Sequence, residues 1–252
     1  MHLGLVTYNL AADWDLGTLL QRCAATGFEG VELRTTHAHG VEETLSTEQR
    51  REVRQRFADS PVQLFGLGSI YEFHSLDPAV VRQNVEGTKR CLQLAHDLGA
   101  SGVKVRPNGH QEKAGVPREQ TLEQIGRAAR ECGQTAQELG VELRMEMHGA
   151  VRQAGTMRRI FEVAGDACWA CWNSNEDDVQ DGSIKQAFDQ VSHWIREAHI
   201  TRLWNPAYPY REFFSLLKGV NAECFCLAEI PASADPEELM HYYRALFDCL
   251  VA

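Results

Sequence analysis

The chain has no long apolar run and no recognisable export signal, and each absence argues against a class of protein. No segment approaches the roughly 18 consecutive apolar residues of a membrane-spanning helix, so we expect no membrane partner. The opening residues, MHLGLVTYNL, lack the basic segment and the long apolar segment of a secretory signal. These two absences indicate a cytoplasmic protein.

Basic residues are also in short supply, with 25 lysines and arginines against 35 aspartates and glutamates, for a formal net charge of -10. A nucleic-acid partner requires a basic field, so this balance argues against one. The eight cysteines are scattered along the chain. Without an export signal, free buried thiols are the simpler interpretation than disulfides or a structural zinc site.

What the chain does have is a repeating alternation of strand and helix patterns. Strands are expected at residues 3–9, 30–34, 61–69, 102–106, 141–149, 167–173, 195–201 and 223–230. A helical pattern follows each strand, with Ser46 and Gln49 resembling a capping box and Asp77-Pro78 a helix start. Hydrophobic residues make up 44% of the 252 residues, enough for a sizeable core.

The segment 141–149, VELRMEMHG, decides between two folds that such a repeat allows. One face of this strand would carry only apolar side chains and the other Glu142, Arg144, Glu146 and His148. Segments 30–34 and 102–106 alternate in the same way, bringing Glu32, Arg34, Lys104 and Arg106. An open doubly wound sheet, the second choice, predicts strands that are apolar on both faces. A closed barrel lets these charges neutralise one another in its lumen, so we predict a single-domain (β/α)8 TIM barrel over residues 1–252.

In such barrels the chemistry takes place at the carboxyl ends of the strands. The last four strands end in two carboxylates, an amide and an imidazole, namely Glu146, Asn173, His199 and Glu229. Oxygen and nitrogen donors of this kind suit Mn²⁺, Mg²⁺, Co²⁺ or Zn²⁺. If Glu229 faces inward, the alternation turns Phe225 and Leu227 inward with it.

Nearly the whole chain resembles the xylose isomerase-like barrel superfamily of sugar isomerases and epimerases, which is related to endonuclease IV. The similarity lies in FHSLDPAVVRQNVEGTKRCLQLAHDLGASGVKV (73–105), VELRMEMHG, CWNSN (171–175), His199 and Glu229. It implies that Glu146, Asn173, His199 and Glu229 hold a divalent metal ion, with both glutamates also acting as acid and base. It further implies that His148 faces the substrate.

The chain departs from the family pattern at two places. The family has an aspartate at the position of Asn173, and an asparagine contributes a neutral oxygen only. The segment HITRLWN lacks the acidic residue that often follows this histidine in relatives. The additional histidines of the trinuclear zinc site in the endonuclease relatives are not evident as a full set, so DNA repair is not expected.

The resemblance therefore implies an isomerase or epimerase that moves a proton next to the carbonyl of a small sugar or polyol. Expected substrate contacts are His148, His74, Arg106, Arg202, Asn108, Glu32 and Trp204. Two alternatives stay open, a metal-free, non-catalytic sugar-binding barrel and a dehydratase of an inositol derivative. The segments 204–210 and 112–115 are candidates for a homodimer interface.

Overall fold

A computed structural model describes all 252 residues, and its eight parallel strands close into a barrel in chain order. The last strand pairs with the first, through Leu3 opposite Cys226 and Leu5 opposite Ala228. The strands are β1 (His2–Val6), β2 (Gly30–Arg34), β3 (Gln63–Gly68), β4 (Gly102–Val105), β5 (Glu142–Glu146), β6 (Trp169–Asn173), β7 (Ile195–Ile200) and β8 (Phe225–Ala228). The predicted (β/α)8 barrel is confirmed, and the doubly wound sheet is excluded.

One α-helix follows each strand, as the repeat predicts. The helices are α1 (Leu16–Thr26), α2 (Thr47–Ala58), α3 (Pro78–Leu98), α4 (Arg118–Leu139), α5 (Ala154–Ala164), α6 (Lys185–Val191), α7 (Tyr210–Val220) and α8 (Pro236–Val251). The sixth is the shortest, and a separate 3-10 turn over Ser192–Trp194 follows it. None of the eight is both long and apolar enough to span a membrane.

The helix ends follow from local chemistry that the sequence already displays. Ser46 and Gln49 form the predicted capping box, in which each side chain bonds the backbone N–H of the other residue. The Asp77 side chain accepts a hydrogen bond from the N–H of Ala79 at the start of α3. Gly99 ends the same helix at a φ of 79°, a left-handed conformation that a glycine adopts without strain.

The core has two parts that the strand alternation separates. Outward-facing strand side chains pack against the helices in a continuous cluster of 64 buried residues. A second cluster fills part of the lumen and consists of Val6, Phe65, Phe225 and Leu227. In it, the rings of Phe65 and Phe225 stack with their centres 4.4 Å apart. Phe225 and Leu227 therefore face inward as predicted, while Cys226 faces the helices.

The eight cysteines are all free, and seven of them are buried. Cys168 packs among the residues between barrel and helices, whereas Cys171 lies in neither apolar cluster and instead belongs to an inward-facing group with Glu197 and His199. These two thiols therefore face opposite sides of the barrel wall. The expectation of free buried thiols holds for every cysteine except Cys249, which is exposed.

We predict that Gly133→Ala destabilises the protein although alanine favours helices. A Cβ at this position of α4 would lie 2.6 Å from the carbonyl carbon of Ala167. Because that carbon belongs to the backbone, it cannot move away without a large energetic cost. The clash should outweigh the helix propensity gain of about 1 kcal/mol and lower the free energy of unfolding by about 1–3 kcal/mol. Urea denaturation measures this change.

Gly219→Ala in α7 is the matched control, because nothing lies within 4 Å of its added Cβ. This variant should leave stability unchanged or raise it by up to about 1 kcal/mol. A Gly133→Ala protein as stable as the wild type would contradict the close packing of α4.

Candidate active site

The lower lumen holds a buried arginine that is surrounded by acceptors. Arg144 donates hydrogen bonds to Glu197 at 2.9 Å, to Glu142 at 2.7 Å and to the Ser101 hydroxyl at 2.8 Å. Its guanidinium also lies 4.3 Å from the centre of the Phe65 ring. These contacts stabilise a charge that would be too costly to bury alone.

Above Arg144 and Glu197, four ionisable side chains from β2, β4, β5 and β7 meet in the lumen. The Lys104 ammonium lies 2.7 Å from Glu146 and 3.8 Å from Glu32. The two ring nitrogens of His199 lie 3.4 Å from Glu32 and 3.5 Å from Glu146. All four are almost fully buried, so their charges are compensated mainly by one another.

This arrangement shifts the pKa of each group toward its charged form. Burial alone raises the pKa of Glu146, but Lys104 and His199 outweigh it and hold that pKa well below its usual range. Burial alone lowers the pKa of His199, but Cys171, Glu32 and Glu146 outweigh it and raise that pKa well above its usual value. Glu146 is therefore a carboxylate at neutral pH.

Three of the four predicted metal ligands converge. One donor atom each from Glu146, His199 and Glu229 lies within 4.8 Å of the others. The Nδ1 atom of His199 is buried, lies 3.5 Å from Glu146 and forms no hydrogen bond, so a metal ion that displaces its proton would give it a partner. Carboxylate oxygens and an imidazole nitrogen suit Mn²⁺, Co²⁺ or Zn²⁺, so these residues fit a divalent ion.

The fourth predicted ligand, Asn173, lies at the same place. Its amide Nδ2 donates a hydrogen bond of 3.1 Å to Glu146, and the residue is almost fully buried at the end of β6. It pairs with His199 in the register between β6 and β7. The amide oxygen of Asn173 would be a neutral donor at the position where the family resemblance implies a carboxylate.

A second group of donors, Cys171, Glu197 and His199, also converges within 4.8 Å. Both Cys171 and Glu197 are fully buried beneath the first group, and Glu197 is already bonded to Arg144. The Arg144 guanidinium therefore already compensates the charge of Glu197, and this second group does not need a metal ion for that purpose.

A cavity of about 140 Å³ opens above the Glu146 group at the carboxyl end of the barrel. It contains three permanent cations, two carboxylates and two histidines, besides two other side chains. The lining residues are Val6, Tyr8, Arg34, Lys104, Arg106, Glu146, His148, His199 and Glu229. These charged and polar side chains can therefore reach one small molecule there.

Several predicted substrate contacts gather around a single carboxylate, Glu72, beside this cavity. Asn108 donates to Glu72, while Arg106 lies 3.3 Å and His74 3.6 Å from its oxygens. Asn108 also bonds the Nδ1 atom of His148 at 2.7 Å through its side-chain oxygen. This network orients Arg106 through Glu72 and His148 through Asn108, and of these four residues only Arg106 and His148 line the cavity.

The other predicted contacts lie elsewhere. Glu32 is fully buried and does not line the cavity. It contacts Lys104 and His199 on the side that faces away from the cavity. Arg202 lines a neighbouring cavity of about 300 Å³, which shares Glu229 with the first. Trp204 is 71% exposed and lines neither cavity.

Four residues that line this cavity were not among the expected substrate contacts or metal ligands, namely Val6, Tyr8, Arg34 and Lys104. Lys104 and Arg34 were expected to neutralise charge inside the lumen. Glu197 was missed altogether as the partner of Arg144. The alternation along β7 contains that signal, because an inward His199 places the residue two positions earlier inward as well.

The family profile described as xylose isomerase-like TIM barrel matches residues 20–175. No curated protein sequence matches this chain significantly. Among solved structures, a D-psicose 3-epimerase from Clostridium cellulolyticum H10 with D-tagatose is similar at a TM-score of 0.82 and 14% identity, over 99% of this chain and 98% of that one.

Two other solved structures have the same fold. A 3-keto-D-glucoside 4-epimerase from E. coli has a TM-score of 0.78 and 15% identity, over 99% of this chain and 98% of its own. The IolI protein with a bound zinc atom has a TM-score of 0.78 and 16% identity, over 100% of this chain and 98% of its own.

We predict that Arg144→Met destabilises the protein strongly, because Glu197 would then be buried without its cation. The expected loss in the free energy of unfolding is about 3–5 kcal/mol. The double variant Arg144→Met, Glu197→Leu should recover part of that loss, since it removes both charges. Urea denaturation of the wild type and the variants measures the coupling energy between Arg144 and Glu197. An Arg144→Met protein whose free energy of unfolding lies within about 1 kcal/mol of the wild-type value would contradict the prediction.

Proposed function

Because the chain belongs to the xylose isomerase-like TIM barrel family, we propose that it is a metal-dependent sugar or polyol isomerase or epimerase. The reaction is a proton transfer at the carbon next to a carbonyl. The observation that carries this proposal is the convergence of Glu146, His199 and Glu229 at the mouth of the barrel. The similar folds of two sugar epimerases support it.

Glu146 and Glu229 are the proposed acid and base. Glu146 is held as a carboxylate by Lys104, so it accepts a proton at neutral pH. Glu229 has no lysine or arginine partner and lines the same cavity. One glutamate removes the proton and the other returns it, at the opposite face for epimerisation or the adjacent carbon for isomerisation.

Glu146, Asn173, His199 and Glu229 would hold the ion. A divalent ion bound there would polarise the oxygens of the substrate and lower the cost of the negative charge that forms after proton removal. His148 and Arg106, which line the cavity and are oriented through Asn108 and Glu72, would position the hydroxyl groups.

A second candidate, the metal-free sugar-binding barrel, is favoured by a different observation. Lys104 already supplies a cation 2.7 Å from Glu146, and the amide of Asn173 bonds the other oxygen of the same carboxylate. The carboxylate is therefore satisfied by the protein alone. A dehydratase would use the same ligands, and analysis of the product distinguishes it from an epimerase.

We expect Glu146→Gln to abolish proton exchange at the carbon next to the carbonyl. The measurement is deuterium incorporation from D₂O, followed by NMR, into a panel of ketoses and keto acids with Mn²⁺, Co²⁺ or Zn²⁺ present. Loss of a catalytic base should lower the exchange rate by about 10²–10⁴-fold.

Glu138→Gln is the control for this experiment, because Glu138 is exposed on α4 and forms no ion pair. It should exchange at the wild-type rate. Undiminished exchange in Glu146→Gln would reject the role of this glutamate. Absence of exchange with every compound and metal in the wild type would reject the enzyme and favour the binding protein.

We further expect Asn173→Asp to bind divalent ions at least about tenfold more tightly than the wild type. The change adds one negative charge to the donor set at the end of β6, and a tenfold change corresponds to about 1.4 kcal/mol. Isothermal titration calorimetry with MnCl₂ and ZnCl₂ measures it without any substrate. His199→Ala should bind both ions more weakly, and equal affinities in all three proteins would contradict the assigned ligands.

A further inference from the structure

One arginine at the mouth of the barrel has no acidic partner. Arg34 ends β2 and lines the cavity above Glu146, yet none of its nitrogens lies within 4.0 Å of a carboxylate oxygen. The only hydrogen bonds of its guanidinium are weak, each of 3.4 Å, to Thr35, Thr36 and His37. In a protein with a net charge of -10, an unpaired cation in a cavity is unusual.

The groups around Arg34 do not supply the missing negative charge. Burial, with Arg34 and His39 nearby, lowers the pKa of His37 to about 4, so this histidine is neutral above that pH. The Tyr8 ring centre lies 5.4 Å from the guanidinium and contributes a cation–π contact only. Arg34 is thus held in place by neutral groups.

Arg106, on the same cavity, is only partly satisfied. Its Nη2 atom lies 3.3 Å from Glu72, which it shares with Asn108 and His74. Its Nε atom is buried and has no hydrogen-bond partner. A buried guanidinium donor without an acceptor is costly, and a ligand oxygen would relieve that cost.

The strand between these two arginines carries a glycine, and Glu32 lies over it, so the space for a ligand is the cavity that both arginines line. Arg34 pairs in register with Gly68 of β3, which in turn pairs with Lys104 of β4. Gly68 has no side chain, and a Cβ there would lie 2.7 Å from Glu32. Lys104 is already paired with Glu146 and Arg106 with Glu72, so Arg34 carries the uncompensated charge and Arg106 adds a free Nε–H donor.

We propose that the substrate carries an anionic group, a carboxylate or a phosphoryl group, which Arg34 and Arg106 bind at this side of the cavity. This inference deepens the proposed function, on which it rests for the identity of the reaction site. Guanidinium groups bind such planar or multidentate oxyanions through paired N–H donors. The substrate class is therefore a sugar acid or a sugar phosphate rather than a neutral sugar.

The test uses three four-carbon probes that differ in one group, D-erythronate, erythritol 4-phosphate and neutral erythritol. Calorimetry at low and moderate ionic strength should show that at least one anion binds tenfold or more tightly than erythritol. The preferred anion identifies the group as carboxylate or phosphoryl. Its affinity should fall as salt is added, because partly exposed charges are screened.

Arg34→Gln should weaken the preferred anion by about tenfold or more and leave erythritol unchanged. Arg34→Lys keeps the charge but loses the paired donors, so it should retain an intermediate affinity. Arg51→Gln is the control, since Arg51 is exposed on α2 and forms no ion pair. A thermal unfolding temperature equal to that of the wild type shows that a variant is folded.

Equal affinities for the anions and erythritol, or an Arg34→Gln protein that binds the anion as well as the wild type, would overturn the proposal. So would failure of both anions to bind. Proton exchange on neutral ketoses without anion preference would reject this inference alone. Arginine-dependent anion binding without exchange in any compound would reject the proposed reaction and keep the anion site.

Discussion

The ion pair between Lys104 and Glu146 is the interaction on which the upper lumen depends. Without the ammonium, two glutamates and a histidine would meet in a space closed to water, at a prohibitive electrostatic cost. With it, Glu146 stays charged and can serve both as ligand and as base. Because Lys104 is paired with Glu146, it is not free to bind a ligand in the cavity above. Arg34 and Arg106 are the remaining cations that can do so.

Much of the architecture was predictable because a barrel imposes two simple periodicities. Alternation along 141–149 separated the lumen from the core, and glycine stops with capping residues marked the helices. The convergence of residues 146, 199 and 229 follows from the same logic, since parallel strands bring their carboxyl ends to one rim.

Pairing inside the lumen was beyond sequence reasoning. Alternation says that Arg144 faces inward, but only the stagger of the closed barrel brings it to Glu197 rather than to Glu146. Loop residues are harder still, because no periodicity governs them. Trp204 was expected at the substrate and lies exposed, and no pattern indicated that Glu72 would contact Arg106, Asn108 and His74 together.

The distribution of thiols has a practical consequence. Cys249, near the end of α8, is exposed, whereas the remaining seven are enclosed by packed side chains. A maleimide dye or spin probe added to the native protein should therefore attach at one position without any engineering. Since that position lies on an outer helix, such a reporter would follow tumbling and self-association of the barrel while leaving its mouth untouched.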